Sequence, residues 1–406
     1  MSTVRCYRGV LLKGGTVLSS AGPICEGVVL IEERRIAYVG KGSQLGNPSG
    51  DYLEVDAPDG FIVPGFVDIH VHGAQGHDTM DGTYEALNSM SEALVEYGVT
   101  SFLPTTVTED QHSLREAARA VAEACRCGTA GAEVLGMHLE GPFINVKHKG
   151  AQNPKHIRLP DTSELEDIMR LSGDRVRLVT LAPEMPGALE AVAWLADHGV
   201  TASVGHSDAT LDDVEKAMFY GLRHVTHTFN GMRGFHHREP GVVGAALAIR
   251  DIDAEVIADM VHVHPAAIRT LVASKGVGRV ILITDAISAT GMPDGEYELG
   301  GLQVTVAGGV ARLREGNLAG STLTMIQAIR NMVSHVGVTL DDAIQMATIN
   351  PARAIGVERN KGSLTVGKDG DVVVLDDGLN VHTTVVQGEV VYQAVSGGIA
   401  NDDFSR

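Results

Sequence analysis

Short apolar runs alternate with amphipathic segments over most of the chain. Several of the runs are continuously apolar, as expected of parallel strands that are covered on both faces. The intervening segments show helical periodicity: residues 108–111 predict a capping box, and apolar residues from Leu114 to Val121 recur on one helical face. The candidate strands follow in order at 62–70, 99–106, 133–140, 176–182, 201–206, 224–229, 254–262 and 279–285.

These strand-then-helix units predict an α/β fold. Eight such units over roughly 220 residues favour a TIM-type (β/α)8 barrel, with an open doubly wound sheet as the alternative. In a barrel of this kind, catalytic residues are expected at the carboxyl ends of the strands.

The two ends of the chain show a different texture, with short alternating strands separated by Gly and Pro turns. Residues 28–31 and 36–39 predict a hairpin, and 370–376 and 381–391 predict two further strands. We expect a small β-sandwich domain assembled from both termini. The predicted boundaries are 1–60 and 361–406 for its two parts, and 61–360 for a metal-dependent catalytic barrel.

The charge and hydropathy of the chain limit the partners that it could bind and the compartment in which it is expected. The 406 residues carry a formal net charge of −19, which disfavours nucleic acid and anionic membranes because both require clustered Lys and Arg. No apolar run reaches the ~18 residues of a membrane span, and the first residues lack the pattern of a signal peptide. Cys6, Cys25, Cys125 and Cys127 are not spaced as a disulfide framework. Reduced thiols and a cytoplasmic location are therefore expected.

Candidate chemistry lies at the predicted strand ends. His70 and His72 alternate along the first strand, so their imidazoles face the same way. Other ligand-type side chains close later strands; they are Glu140, His206, His227 and Asp285. Any one of these histidines alone would more often be an ordinary core residue. Their joint placement predicts a catalytic metal site for Zn²⁺ or Fe²⁺.

Several motifs together resemble the amidohydrolase superfamily, and within it the branch that deacetylates N-acetylated amino-sugar phosphates. The motifs are HVHG, HLEGP, VGHS, HTFNGM, TDA and LAGST. HxH alone is weak, whereas HLEGPF, FNGMRGFHHREPG and TDAISATGMPDGEY together are specific. The resemblance implies hydrolysis of the acetamido group of N-acetylglucosamine 6-phosphate to glucosamine 6-phosphate and acetate.

The resemblance also implies a ligand set. Glu140, His206 and His227 would bind the main metal, and because this chain retains His70 and His72 it could hold a second one, with the glutamate shared. The number of metals, one or two per subunit, stays open. Many superfamily members bridge two metals with a carboxylated lysine on the fourth strand, but residues 176–184 contain none.

Asp285 lies just past the apolar run 280–283 and is assigned as the general base, with a helix-capping role as the alternative. The resemblance places further residues at the substrate. Arg238 would bind the phosphate through its planar fork, from a neighbouring subunit of a homodimer, unless it merely pairs with Glu239. The other implied substrate contacts are Ala151, Gln152, Asn230, Gly231, Asp259, His262, Leu318, Ala319 and Gly320.

Two positions depart from the family pattern. Gln152 stands where some relatives carry a histidine near the acetyl carbonyl. Gly231 stands where alanine is frequent, a difference expected to cost little.

Three alternative functions remain. Deacetylation of N-acetylgalactosamine 6-phosphate is not separable by motif from the epimeric reaction. A cyclic-amide hydrolase is disfavoured by the missing lysine. A catalytically dead amidohydrolase-like scaffold is disfavoured because every metal and base position is filled.

Overall fold

We describe a computed structural model of the chain, which covers residues 7–394 except 47, 49 and 58. Its strands are β1 (Gly9–Ser19), β2 (Gly22–Glu32), β3 (Arg35–Lys41), β4 (Tyr52–Asp56), β5 (Phe61–Pro64), β6 (Phe66–Val71), β7 (Gly73–Ala74), β8 (His77–Asp78), β9 (Val99–Pro104), β10 (Glu133–Val134), β11 (Met137–Glu140), β12 (Val176–Leu181), β13 (Thr201–Val204), β14 (His224–Val225), β15 (Asp253–Ile257), β16 (Val280–Ile283), β17 (Gly295–Leu299), β18 (Leu302–Ala307), β19 (Val310–Leu313), β20 (Val372–Leu375), β21 (Val381–Val386) and β22 (Glu389–Gln393).

The α-helices of the same residues are α1 (Gly42–Leu45), α2 (Tyr84–Leu94), α3 (Gln111–Cys127), α4 (Thr162–Leu171), α5 (Ala188–Asp197), α6 (Leu211–Tyr220), α7 (Gly241–Ala248), α8 (Pro265–Lys275), α9 (Met325–Asn331), α10 (Leu340–Ala347) and α11 (Ile349–Ala354). Single 3-10 turns and one π-helical turn, Met332–Val336, complete the helical segments. In the described part of the chain, no helix is both long enough and apolar enough to cross a bilayer.

Strands from both ends of the chain share one sheet. Its order is β22-β21-β20-β5-β1-β2-β3, with β4 paired to β1. β20 runs antiparallel to β5, with Val372 opposite Pro64. The predicted hairpin is present as β2 and β3, where Ile31 lies opposite Ile36. Alternate side chains of these strands form their own buried cluster, which includes Leu12 and Val29. The predicted division into domains is not settled by this pairing and stays a prediction.

Parallel strands form the rest of the main framework. One sheet has the order β10-β9-β6, and a second runs β11-β12-β13-β14-β15-β16. Single parallel bridges, Val71 with Ala286 and Thr105 with His138, connect the two sheets. Strands β6, β9 and β16 are buried along their whole length, as the continuous apolar runs predicted. The α/β prediction is confirmed, whereas the closed barrel and the terminal β-sandwich stay predictions.

The first predicted strand, 62–70, is two strands. Residues up to Pro64 belong to the terminal sheet, and those from Phe66 belong to the parallel sheet. The break falls at Gly65, where an added Cβ would lie 2.2 Å from Thr100 Oγ1. This close approach requires glycine and marks the point where the chain passes from one sheet to the other.

The helices pack an apolar face on the parallel strands. In α3, Leu114, Ala117 and Val121 are buried as predicted, and each fully buried large aliphatic side chain contributes about 1.5–3 kcal/mol. The predicted capping box at 108–111 is wrong: Asp110 is the N-cap, and its carboxylate accepts a hydrogen bond from Ser113 N at 2.9 Å. An aspartate one position before the helix makes this bond directly, without Thr108.

Thr210 is the N-cap of helix α6. Its hydroxyl accepts a hydrogen bond from Asp213 N at 3.2 Å, and the Asp213 carboxylate accepts one from Thr210 N at 2.9 Å. The helix α6 therefore begins with a reciprocal capping box.

An antiparallel sheet of β17, β18 and β19 was not predicted. The signal was present in β18, where Val304 and Val306 are buried while Gln303 and Thr305 are exposed, the alternation expected of a half-buried strand. This sheet has its own apolar cluster, which includes Leu299.

Candidate metal centre

The predicted ligand-type side chains gather at one end of the parallel strands. His70 lies within β6 and His72 directly follows it, and Glu140 is the last residue of β11. His206, His227 and Asp285 each lie two residues beyond a strand, namely β13, β14 and β16. Since these strands are parallel neighbours, their carboxyl ends meet at the same edge of the framework.

The four imidazoles converge on the carboxylate of Glu140. Its Oε1 lies 3.2 Å from His206 Nε2, 3.1 Å from His227 Nε2 and 3.5 Å from His70 Nε2. Its Oε2 lies 3.5 Å from His72 Nε2. Two ligand groups therefore share the glutamate, His70–His72–Glu140 and Glu140–His206–His227, and within each group the ligand atoms lie within 4.8 Å of one another.

The other ring nitrogen of three histidines is held by an acceptor. His72 Nδ1 lies 3.2 Å from Thr105 O, His206 Nδ1 lies 2.9 Å from His148 O, and His70 Nδ1 lies 3.1 Å from a carboxylate oxygen of Glu255. When Nδ1 donates to such a partner, the lone pair is on Nε2, which faces Glu140. Metal-binding histidines are oriented by this arrangement of second-nitrogen hydrogen bonds.

Unsatisfied atoms and donor chemistry both fit a metal. Among the described residues, the buried Nε2 of His70, which faces Glu140, has no hydrogen-bond partner, although buried polar atoms in folded proteins normally have one. His206 Nε2 and His227 Nε2 face each other at 3.1 Å. Imidazole nitrogens with one carboxylate are the ligands that Zn²⁺ or Fe²⁺ accepts in sites with open positions. The residues present therefore fit a divalent metal.

The negative charge on the two carboxylates of the centre, Glu140 and Asp285, favours the binding of a metal cation. Although burial raises it, the neighbouring His70 and His206 hold the pKa of Glu140 well below its usual range. Burial also raises the pKa of Asp285, but His70 and the hydrogen bond from His72 lower it below its usual value. Both groups are thus anionic at neutral pH and face the imidazole cluster.

Asp285 is aimed into the centre and does not cap a helix. Its Oδ1 lies 3.1 Å from His72 Nε2 and 3.5 Å from His70 Nε2. Its backbone has φ 51°, and His206 and His227 also have positive φ, 47° and 31°. Non-glycine residues in this region cost about 1–3 kcal/mol each and cluster at functional sites. The chain therefore holds three of its site residues in strained conformations.

Glu255 is a site residue that sequence reasoning missed. It lies within β15 and is fully buried, and besides His70 Nδ1 it accepts from His224 Nε2 at 2.9 Å and from His227 N at 3.1 Å. Although burial raises it, the hydrogen bonds from His224 and His70 lower the pKa of Glu255 below its usual range. A signal was available, because a glutamate that directly precedes the apolar run 256–258 within a predicted strand requires a partner if it is buried.

A cavity of about 280 Å³ opens over the histidines. Its lining includes metal-facing side chains and most of the predicted substrate residues, namely His72, Glu140, His206, His227, Asp285, Ala151, Gln152, Asn230, Gly231, His262, Leu318 and Gly320. Leu299 and Asn317 also line it and were not predicted. A pocket of this size suits a small ligand that is held by a few convergent polar groups.

Three predicted substrate residues do not line this cavity. Ala319 is buried behind it. Asp259 instead orients a lining residue, since its Oδ2 lies 2.6 Å from His262 Nδ1. Arg238 is exposed, and its Nη1 lies 2.9 Å from His237 Nε2. Among the described residues, Arg238 forms no ion pair with Glu239, so the surface-pair alternative is not what the structure contains.

The two departures from the family pattern have structural consequences. The Gln152 side chain donates to Glu140 Oε2 at 2.7 Å and accepts from Thr108 N at 2.6 Å, which leaves one amide N–H for a ligand. Gly231 has φ 57°, and an added Cβ would lie 2.9 Å from His206 Nδ1. Glycine avoids both the strain and the contact in this backbone, and the expectation that the difference from alanine costs little stays a prediction.

A larger cavity of about 870 Å³ lies at the opposite ends of the strands, beside Thr201, Arg223 and Asp253. No histidine lines it in the described part of the chain. Size alone would favour it, but convergent ligand atoms, buried charge and strain all mark the smaller cavity as the functional one.

Comparisons with known proteins agree with this geometry. Residues 61–391 match the model of the amidohydrolase family. The N-acetylglucosamine-6-phosphate deacetylase of Vibrio furnissii is 44% identical over 336 residues, which cover 82% of this chain and 84% of the relative. The N-acetylgalactosamine-6-phosphate deacetylase of Escherichia coli O157:H7 is 44% identical over 329 residues, 81% of this chain and 87% of the relative.

A solved structure is similar over nearly the whole chain. It is a mutant of the N-acetyl-D-glucosamine-6-phosphate deacetylase of Mycobacterium smegmatis in complex with N-acetyl-D-glucosamine-6-phosphate. It superposes with a TM-score of 0.88 at 36% identity, covering 95% of this chain and 100% of that one.

Proposed function

This chain belongs to the amidohydrolase family, and on that premise we propose that it is a metal-dependent N-acetylglucosamine-6-phosphate deacetylase. It hydrolyses the acetamido group of N-acetyl-D-glucosamine 6-phosphate to D-glucosamine 6-phosphate and acetate. The observation that carries the proposal is the convergence of four imidazole Nε2 atoms on Glu140, at distances of 3.1–3.5 Å, beside a small open cavity.

The proposed cofactor is Zn²⁺ or Fe²⁺, one or two per subunit. Glu140, His206 and His227 would hold one ion, and His70, His72 and Glu140 a second. A divalent metal bound there polarises the amide carbonyl and lowers the pKa of water toward ~7. The chain contributes a buried pocket in which His72 and His206 are oriented by hydrogen bonds to backbone carbonyls.

Asp285 is proposed as the general base and acid. Its ionised carboxylate borders the cavity on the same side as His72 and Glu140. There it would accept a proton from the attacking water and later deliver this proton to the nitrogen of the leaving amino sugar. The lowered pKa of Asp285 keeps its carboxylate ionised at neutral pH, which is the protonation state that a general base requires.

The sugar is proposed to lie in the cavity against His262 and Asn230, with Gly231 and the backbone of 318–320 beside it. Asp259 fixes the ring of His262 through the 2.6 Å hydrogen bond. Gln152 keeps one amide N–H free toward the cavity for the acetyl oxygen. Ala151 lines the same wall, and these contacts would orient the acetamido group toward Asp285.

We propose that Arg238 reaches the cavity of a neighbouring subunit and binds the phosphate of the substrate there. The enzyme would then be a homodimer. Arg238 does not line the cavity of its own subunit, and the nearby Phe235 is 59% exposed on the same loop. An exposed aromatic residue beside an arginine is the composition that protein interfaces favour.

The proposed architecture is a closed (β/α)8 barrel over 61–360, with a small β-sandwich domain from 1–60 and 361–406. The two bridges between the parallel sheets support closure, and the mixed sheet from both termini supports the small domain. Cys25, Cys125 and Cys127 are free thiols, which suits the proposed cytoplasmic location; Cys6 lies outside the described residues.

Deacetylation of N-acetylgalactosamine 6-phosphate is the second candidate, favoured by the 44% identity to the Escherichia coli enzyme of that name. The deciding experiment measures acetate release from both 6-phosphates and from the two unphosphorylated sugars, with metal content determined on the same sample. We expect N-acetylglucosamine 6-phosphate to be hydrolysed fastest of the four compounds. Equal rates with and without phosphate would contradict the role of Arg238, and no acetate release from any of them would overturn the proposal.

A further inference from the structure

The carboxylate of Glu255 lies beneath the metal-facing histidines, outside the cavity. Its side chain has no exposed surface. One oxygen lies 3.1 Å from both His70 Nδ1 and His227 N, and the other lies 2.9 Å from His224 Nε2. All three neighbours can donate, so the buried charge is satisfied without any Lys or Arg.

His70 differs from the other metal-facing histidines in the hydrogen-bond acceptor that orients its ring. His72 and His206 point Nδ1 at backbone carbonyls, which no substitution at the acceptor residue removes. Of the four metal-facing histidines, all of which lie in the described part of the chain, only His70 has a side-chain acceptor for its Nδ1, the carboxylate of Glu255. A carboxylate accepts and does not donate, so it places the ring proton on Nδ1 and leaves the lone pair on Nε2. That atom faces Glu140 and Asp285 without a hydrogen-bond partner.

We propose that Glu255 is a positioning residue that fixes the tautomer and rotation of His70, and thereby enables the group His70–His72–Glu140 to hold the second metal ion. The inference rests on the proposed metal-dependent function and deepens it. Glu255 does not contact the substrate cavity, so it acts through His70. Orienting partners of this kind change metal affinity by about 10–100-fold.

Asp68 provides a matched comparison for Glu255. It is equally buried, and its carboxylate accepts a backbone N–H from a metal-facing histidine, His70 N at 3.3 Å. Its remaining partners are Thr284 N and the Thr284 hydroxyl, at 3.4 and 2.6 Å, and none is an imidazole nitrogen. Any effect of removing a buried negative charge would therefore appear in both Asp68→Asn and Glu255→Gln. An effect of removing the carboxylate contact to an imidazole would appear only in Glu255→Gln.

The test is calorimetric titration of the metal-free full-length chain with Zn²⁺, for wild type, Glu255→Gln, His70→Asn and Asp68→Asn, with folding checked by circular dichroism. We expect two binding events in wild type and in Asp68→Asn. In Glu255→Gln, one event should weaken by about 10–100-fold, and the same event should be missing in His70→Asn. If Glu255→Gln does not fold, Glu255→Asp, which shortens the carboxylate by one methylene, replaces it with the same expectation.

Three results would overturn the inference while leaving a metal-dependent deacetylase intact. These are a single event in wild type, two unchanged events in the Glu255 variant, and an equal weakening in Asp68→Asn. Absence of any zinc binding in wild type would instead refute the proposed function itself.

Discussion

Two buried clusters of charged side chains in this molecule differ in whether their polar atoms are satisfied. The metal centre gathers imidazoles around Glu140, and in the described structure His70 Nε2, which faces that carboxylate, has no hydrogen-bond partner. The second cluster, which we call the Lys361 cluster, consists of Lys361, Glu133, Asp369 and Asp371. There the ammonium lies 2.5, 2.9 and 2.6 Å from one oxygen of each acid.

The metal centre is a binding site, whereas the Lys361 cluster holds two segments of the chain together. In the Lys361 cluster, three donors of one ammonium meet three acceptors. Although burial lowers it, the charges of Asp371, Glu133 and Asp369 raise the pKa of Lys361 above its usual range. Nothing further is needed to stabilise that cluster, which joins β10 to the segment leading into β20. The metal centre, by contrast, has imidazole nitrogens and carboxylate oxygens that face one another, an arrangement that a bound divalent cation would stabilise.

Metal removal should produce the largest difference between the two clusters. Dialysis against a chelator is expected to abolish acetate release completely, because the amide is unreactive toward water without metal activation. Adding Zn²⁺ or Fe²⁺ should restore it. Activity that survives chelation, with metal content verified as zero, would contradict the assignment of the centre.

Substitution of the proposed base should have the next largest effect. Asp285→Asn is expected to lower kcat by about 10²–10⁴-fold, since the amide cannot accept the proton of water, while the metal content stays at the wild-type level. Steady-state kinetics with metal analysis on the same preparation would check this. Asp294, an aspartate that caps Gly308 and Gly309 N–H groups away from the cavity, gives the control Asp294→Asn, in which turnover should not change.

Breaking the Lys361 cluster should affect stability and leave chemistry unchanged. Lys361→Met leaves three acids without their buried cation and is expected to lower the free energy of unfolding by about 3–5 kcal/mol. Denaturant unfolding measures it, with kcat and metal content as the second readout. The matched control is Lys13→Met, which removes an exposed pair with Glu54 and should cost at most about 1 kcal/mol. Equal losses in the two variants would show that the Lys361 cluster stabilises the fold no more than an exposed ion pair does.

An exposed charge outside both clusters should show the smallest effect. Arg238→Ala is expected to lose about 1.5–3 kcal/mol of transition-state binding for the phosphorylated sugar, and nothing for the unphosphorylated one. The ratio of the two kcat/KM values measures this loss. Arg126→Ala, an exposed arginine on α3 with its side chain 73% accessible, serves as control. A parallel fall for both sugars would indicate a structural role for Arg238.

The sequence was sufficient to predict the metal centre because its side chains follow strand ends, which periodicity locates. His70 and His72 are two residues apart on a strand, and Glu140 ends an apolar run, so the common edge was inferable. Glu255 was not predicted, because its partner His70 is 185 residues away and no spacing rule links them. The position of Gly65 between two sheets depends on contact with Thr100, which is likewise a tertiary feature.

The Lys361 cluster was also beyond sequence reasoning. Glu133 and Lys361 are 228 residues apart, and charged residues are common enough that burial of one lysine among three acids carries no local pattern. The antiparallel sheet β17–β19, by contrast, had a visible alternation at 302–307 and could have been predicted.

Anomalous diffraction from crystals grown with Zn²⁺, recorded at the zinc edge, would locate a bound ion among the histidines without reliance on activity. We expect an anomalous peak in contact with the Glu140 carboxylate and with Nε2 of both His206 and His227. Crystals that bind zinc elsewhere, or show no peak at Glu140, would contradict it.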